Sequence, residues 1–266
     1  MMAIKLIALD MDNTLLNRQK LVSDKNAEAV QKAMQKGVYV TIATGRMPAS
    51  ASYFARNLGM NCPVVSCNGG VVKPLDGGEP IFEAHFLPET LLELMNLCYE
   101  KNWYIRWYIN DTIYVRYKDE RMFPAYRTTK GLNIVEVGDD YAKYAANVTQ
   151  LVICDINGKI QSIYDYVAEH FQGKIGLQQN TGFTMDVTPP GINKAVGLSK
   201  LADYLGIKQA EVMAAGDGDN DLDMIKYAGV GVAMENAIAD LKEVASFITK
   251  DCDDNGIAYA IEKLVL

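Results

Sequence analysis

At 266 residues, with a 49% hydrophobic fraction scattered in short runs, the chain has room for one or two domains with a full core, and no run approaches the roughly 20 apolar residues of a membrane span. A net charge of −7 without a long Lys/Arg run disfavours sequence-independent binding to nucleic acid. Five cysteines at irregular spacing with no CxxC pair indicate neither a disulfide framework nor a zinc site and are read as free thiols, most of them buried.

The opening "MMAIKLIALD" lacks a basic region, a long apolar segment and a small-residue cleavage site, so a cytoplasmic protein is expected, a monomer or weak homo-oligomer. The apolar run "IKLIALD" reads as a strand ending in acid. "SDKNAEAVQKAMQKG" reads as a helix, with Ser23 as N-cap, Ala27, Val30 and Met34 on one face, and Gly37 as stop. "VYVTIATGR" is a second strand, "SASYFARNLG" a second helix and "PVVSCNGG" a third strand. This alternation predicts right-handed crossovers and a parallel sheet.

From Phe82 to Pro190 the character changes to aromatic strand pairs ("WYIRWYIND", "TIYVRYKD"), then "TQLVICDI", a helical "IQSIYDYVAEHF" and "GFTMDVTPP". The aromatics Trp103, Tyr104, Trp107, Tyr108 and Tyr114 fall at strand spacing, so half are expected to face a core. The first pattern then returns in "KAVGLSKLADYLG", with Leu198, Leu201, Ala202 and Leu205 as a stripe, followed by "EVMAAGD", "NDLDMIKYAG", "VGVAM", "NAIADLKEVA" and "FITK". The expected fold is a doubly wound, Rossmann-like α/β core formed by 1–81 and 191–266, interrupted by an α+β insertion at 82–190. "KPLDGGEP" and "TPPG" mark the junctions.

In open parallel sheets, ligands bind beyond the carboxyl ends of the strands where strand order reverses. Asp10, Thr44, Asn68 and Asp217 each close an apolar run, which brings four polar groups to one rim. Asp10 and Asp12, two apart in an extended segment, are expected to point to the same side and to repel unless a cation lies between them or one keeps its proton. With "GDGDND" (Asp217, Asp219, Asp221) they make an oxygen-rich set lacking His and Cys, suited to Mg²⁺. Arg46 and Lys194 are isolated cations at suitable places, and Thr44, Gly45 and the following helix N-terminus offer phosphate donors. Together these are the parts of a phosphoryl-transfer site.

"DMDNTLL", "TGR", Lys194 and "GDGDND", in this order and on these strand ends, resemble the four motifs of the haloacid dehalogenase-like phosphatases, and the long insertion after the third strand resembles their Cof-type branch. The resemblance spans the chain. It implies Asp10 as the nucleophile forming an aspartyl-phosphate, Asp12 as acid and then base, and Thr44 and Lys194 as holders of the phosphoryl group, with Arg46 near it. It implies Mg²⁺ held by Asp217, the Asp10 side chain and the Asp12 main-chain carbonyl, with Asn220 and Asp221 supporting metal or substrate. Where members often carry Lys-Gly, this chain has Lys194-Ala195, which keeps the charge.

Read singly, each motif has a plainer meaning: a turn for Asp10 and Asp12 or for Thr44-Gly45-Arg46, a solvated lysine for Lys194. "GDGDND" lacks the twelfth-position Glu of a calcium loop, since Ala228 stands there. His85 and His170 read as ordinary insertion residues. The expected function is a Mg²⁺-dependent phosphatase for a small phosphorylated metabolite such as a sugar phosphate. The alternatives are a phosphomutase, a phosphatase dedicated to a flavin or pyridoxal cofactor precursor, and a receiver-like signalling module, against which chain length and the "SCNGG" strand end both stand.

Overall fold

This computed structural model describes residues 3–119, 121, 133–155 and 157–266, without the side chains of 179–181. The chain opens with β1 (Leu6–Leu9), α1 (Asp24–Gln35), β2 (Tyr39–Ile42), α2 (Pro48–Asn57) and β3 (Val64–Ser66). Every residue of β1 is buried, as a continuous apolar run at the centre of a parallel sheet requires. Ser23 caps α1 by accepting from Asn26 N–H at 3.2 Å. The buried face of α1 is Asn26, Ala29, Val30 and Ala33, rotated by about one position from the expected Ala27, Val30, Met34 stripe. The cause is polar: Asn26 Oδ1 accepts from the Ala258 N–H at 2.9 Å, and a hydrophobicity pattern does not register that contact.

A short antiparallel sheet follows, made of β3, β4 (Val71–Lys73) and β5 (Phe82–Glu83). Phe82 packs on the core of the parallel sheet, so the turn back to that core extends to Glu83. The insertion contains α3 (Pro88–Glu100), β6 (Tyr104–Ile109), β7 (Thr112–Val115), β8 (Asn133–Glu136), β9 (Gln150–Cys154), α4 (Ile160–His170), β10 (Gly176–Thr181) and β11 (Thr184–Thr188). Its six strands form one sheet in the order β10-β11-β9-β6-β7-β8, antiparallel except between β7 and β8. Ile156, the last residue of the expected strand run "TQLVICDI", lies outside the described residues.

Alternation along β6 separates two surfaces, as expected of the aromatics. Ile105 and Trp107 join Leu94 and Met95 of α3 and Ile163 and Val167 of α4 in the core of the insertion. Tyr104 and Tyr108 face a second cluster that also contains Met47, Cys67 and Val71 of the parallel domain. One face of this sheet is therefore closed by helices and the other by the parallel domain.

The chain returns through α5 (Lys194–Leu205), β12 (Val212–Gly216), α6 (Leu222–Tyr227), β13 (Val230–Ala233), α7 (Ala239–Val244), β14 (Phe247–Ile248) and α8 (Gly256–Leu264). Leu198, Leu201 and Ala202 of α5 are buried as the stripe predicts, and Leu205 packs beside them. The parallel sheet runs β14-β13-β12-β1-β2, and β3 joins β2 through the Ala43–Val65 bridge. Strand order thus reverses between β1 and β12, and the rim beyond that point is where Asp10 and Asp217 lie. All five cysteines are free and buried. Among the described residues no helix is long and apolar enough to cross a membrane.

Candidate active site

Lys194 is the first residue of α5, where a cation opposes the helix dipole, and its side chain has no solvent exposure. It is held by two carboxylates: Nζ donates to Asp10 Oδ1 at 2.7 Å and to Asp221 Oδ1 at 2.6 Å. Asn193 caps the helix by accepting from Val196 N–H at 3.0 Å, and its amide donates to Asp223 at 2.7 Å, which fixes where Lys194 begins.

The loop after β12 is built around Asp221. Its Oδ2 accepts from the N–H groups of Asp217 at 2.9 Å and Gly218 at 3.0 Å. Gly216 is required beneath it, since a Cβ there would come within 2.4 Å of Asp221 Cγ. With one oxygen on Lys194 and the other on two backbone donors, Asp221 serves as the brace of the loop. Asp217 is positioned by Thr14, whose hydroxyl donates to Asp217 Oδ1 at 3.0 Å. Asn236 fastens the same region, donating to the Asn13 carbonyl at 2.9 Å and accepting from Cys252 N–H at 2.9 Å. Thr14 lies in the "DMDNTLL" stretch but was given no role there, and Asn236 was not legible as a site residue, since an asparagine after β13 carries no pattern of its own.

Oxygens of Asp10, Asp217 and Asp221 lie within 4.8 Å of one another. Three carboxylates against one ammonium leave two formal negative charges uncompensated. Burial pushes the Asp10 carboxyl well above its ordinary value, and the neighbouring charge of Asp221 adds to this against the pull of Lys194. Asp217 is pushed up to about 6 by burial and by Asp221. Burial works against the Lys194 ammonium, yet Asp10 and Asp221 together hold it above its usual value. An all-oxygen donor set with excess negative charge fits a hard divalent cation such as Mg²⁺.

Asp12 does not share this cluster. Beyond Leu9 the chain turns, and the strand alternation that would have aligned Asp12 with Asp10 no longer holds. Its carboxylate accepts from Arg46 Nε at 2.9 Å and from an Arg46 terminal nitrogen at 2.8 Å, and Lys20 lies 2.9 Å away. Burial raises the Asp12 carboxyl, but the two-pronged Arg46 contact and Lys20 outweigh it and leave it below the ordinary range. Two cations on one acid give this side of the rim a positive excess, opposite in sign to the Asp10 side.

Thr44 Oγ1 accepts from Arg46 N–H at 3.2 Å, which folds "TGR" into a tight turn beside Asn68. Gly45 is confined there: a Cβ on it would lie 3.0 Å from the Asn68 amide and from Asp186 Oδ2. Asn68, held at a φ of 50°, donates to Asp186 Oδ2 at 2.6 Å and accepts from Asn220 Nδ2 at 2.9 Å. Asn220 thus reaches the site through Asn68. Gln150 of β9 donates to the Gly45 carbonyl at 3.1 Å, and Asp111 at the β6–β7 turn pairs with Lys73 at 2.7 Å. Both histidines lie elsewhere, His85 beside Glu83 and His170 stacked on Tyr166.

A doubly wound sheet that gathers Asp10, Asp12, Thr44, Lys194 and Asp217 on one rim under an inserted α+β cap is the plan of a phosphoryl-transfer hydrolase. The chain belongs to the haloacid dehalogenase-like hydrolase family, whose defining pattern matches residues 7–261. It is 31% identical over 264 residues to the 5-amino-6-(5-phospho-D-ribitylamino)uracil phosphatase YitU of Bacillus subtilis, covering 97% of this chain and 96% of that one. The phosphatase of the same substrate name, YcsE, from the same organism is 32% identical over 99% of this chain and 96% of its own. Among solved structures, a haloacid dehalogenase-like hydrolase from Bacteroides thetaiotaomicron superposes with a TM-score of 0.87 at 30% identity, covering 98% of this chain and 99% of that one. The protein is accordingly a phosphatase of this family, a phosphoric monoester hydrolase.

Proposed function

We propose that the protein is a Mg²⁺-dependent phosphatase of a small phosphorylated metabolite, working through an aspartyl-phosphate on Asp10. The observation that supports this best is the Lys194 bridge: it occupies Asp10 Oδ1 and leaves Oδ2 to attack phosphorus. In the first step the Asp10 Oδ2–P bond forms as the ester P–O bond breaks, and Asp12, which takes up a proton once Arg46 turns from it to the phosphoryl group, passes that proton to the departing oxygen. In the second, Asp12 takes a proton from water, the water oxygen bonds to phosphorus, and the P–O bond to Asp10 breaks, releasing inorganic phosphate.

Thr44, the Gly45 loop, Arg46 and Lys194 hold the phosphoryl oxygens in this reading. Asp10, Asp217 and the Asp12 main-chain carbonyl would hold Mg²⁺, with Asp221 bracing the loop. The metal supplies charge neutralisation between phosphoryl oxygens and carboxylates. Residues 82–190 act as the cap, hinged near 78–82 and 187–191, with 1–81 and 191–266 as the catalytic unit. The names of the relatives support a phosphorylated ribityl compound as the substrate. Steady release of inorganic phosphate from an aryl phosphate, requiring Mg²⁺ and abolished by chelator, tests the proposal. Undiminished release in excess chelator would overturn it.

A further inference from the structure

Asn68 follows β3 and is fully buried, in a turn that is left-handed throughout: φ is 50° at Cys67, 50° at Asn68 and 91° at Gly69. A residue with a Cβ resists that region, and asparagine is among those that resist it least. The turn is pinned from several sides. Cys67 N–H donates to the Arg46 carbonyl at 2.9 Å and Asn68 N–H to the Thr44 carbonyl at 3.0 Å. Gly69 lies so close to the start of α5 that a Cβ there would come within 1.9 Å of the Asn193 carbonyl oxygen, one residue before Lys194.

The Asn68 side chain uses both ends of its amide to join two separate parts of the molecule. Nδ2 donates to Asp186 Oδ2 of the cap sheet at 2.6 Å. Oδ1 accepts from Asn220 Nδ2 at 2.9 Å, on the loop that carries Asp217 and Asp221. A carboxylate on the N–H side polarises the amide and makes its oxygen a better acceptor, so each bond strengthens the other. Other polar contacts of the cap reach less far. Gln150 meets the Gly45 carbonyl, and Asp111 meets Lys73 in a partly exposed ion pair of the kind that contributes little.

Resting on the reading of 82–190 as a hinged cap over a Mg²⁺ site, we infer that Asn68 is the positioning residue through which the docked cap and the 217–221 loop fix one another. A divalent cation in the acidic cluster holds the loop, the loop holds Asn68 through Asn220, and Asn68 holds the cap through Asp186. The coupling is reciprocal, so a docked cap favours the cation as much as the cation favours docking.

The test reads cap opening without turnover. Cys67 and Cys154 lie in the apolar cluster between the parallel domain and the cap sheet, whereas Cys62 and Cys252 lie in the core of the parallel domain and Cys98 in that of the cap. Pulse labelling of the full chain with N-ethylmaleimide, resolved peptide by peptide by mass spectrometry, therefore separates cap opening from unfolding. Mg²⁺ alone is the probe. In the parent it is expected to slow labelling of Cys67 and Cys154 by about fivefold or more, the lower end of a coupling between two sites. Asn68→Gly, which keeps the left-handed turn and removes both bonds, is expected to bring that ratio below about twofold. Asn68→Asp keeps the turn and the acceptor for Asn220 but lacks the N–H for Asp186, and serves as a second variant with the same expectation. The ratio is taken within each variant, so any change in the reactivity of Cys67 beside the substitution cancels. A parent ratio below about fivefold overturns the inference, as does a ratio that both variants leave within about twofold of the parent's, or equal labelling of all five thiols. Mg²⁺-dependent turnover of p-nitrophenyl phosphate by the parent is scored separately: its absence sinks the phosphatase proposal, whereas its presence with labelling that ignores Mg²⁺ sinks only the role of Asn68.

Discussion

Lys194 Nζ lies 2.7 Å from Asp10 Oδ1 in a place without solvent, and the same ammonium holds Asp221 at 2.6 Å. One cation therefore fixes the proposed nucleophile and the brace of the Asp217 loop at once. Lys194→Met would leave two buried carboxylates unpaired, and removing one partner of a buried ion pair costs about 3–5 kcal/mol. Denaturant unfolding should show a loss of that order in chelator, partly recovered by Mg²⁺, together with loss of turnover. A variant as stable as the parent without metal would show that the ammonium is not what compensates these acids.

Asp10→Asn makes the opposite separation between function and stability. Because burial and Asp221 raise the Asp10 carboxyl, its ionised form costs the fold more than it costs the unfolded chain. The amide removes that charge while Lys194 keeps Asp221. Turnover should vanish, since an amide does not attack phosphorus, whereas unfolding free energy should stay within about 1 kcal/mol of the parent or rise. A residual rate within tenfold of the parent would place the nucleophile elsewhere.

These two residues also show what the sequence made legible. Asp10 and Asp217 were readable because an acid closing a wholly apolar strand is costly without a purpose, and the α/β alternation put those strand ends on one rim. Lys194 was readable only by its place ahead of the β12 strand. The partition of charge was not. Asp10 and Asp12 looked like one pair, but a turn after Leu9 sends Asp12 to Arg46 and Lys20, a partner that no spacing rule connects to it. Asp186 and Gln150 were hidden for another reason: their meeting with Asn68 and Gly45 depends on how the inserted sheet docks, and that is set by contacts more than 80 residues apart in the chain.

The metal dependence should carry a pH signature. Asp217 is pushed up to about 6 by burial first and Asp221 second, so a proton competes for it below that pH. Its folded value lies above the ordinary carboxylate value of 3.8, so the ionised group costs the metal-free fold a penalty. That penalty is absent below 3.8, grows as pH rises towards 6 and is constant above. Mg²⁺ should therefore raise the melting temperature more at pH 7.5 than at pH 5, and calorimetric affinity should weaken by up to about tenfold per unit below pH 6 for one displaced proton. A larger stabilisation at pH 5 would contradict the assignment.

The last prediction concerns Arg46, whose guanidinium grips both oxygens of Asp12. Burial alone would raise the Asp12 carboxyl; Arg46 and Lys20 bring it below its ordinary value. The pair thus contributes stability that is present at neutral pH and lost as pH falls through the depressed value. In Arg46→Gln only Lys20 is left to oppose burial, so the Asp12 carboxyl should move up by about one unit or more, the usual size of one close guanidinium. With an alkyl phosphate, whose departing oxygen needs a proton, the kcat/KM profile should shift alkaline and its maximum should fall. With an aryl phosphate, whose leaving group departs without protonation, the alkaline limb should move much less. If both substrates lose activity equally at every pH, Arg46 acts on the phosphate alone and not through Asp12.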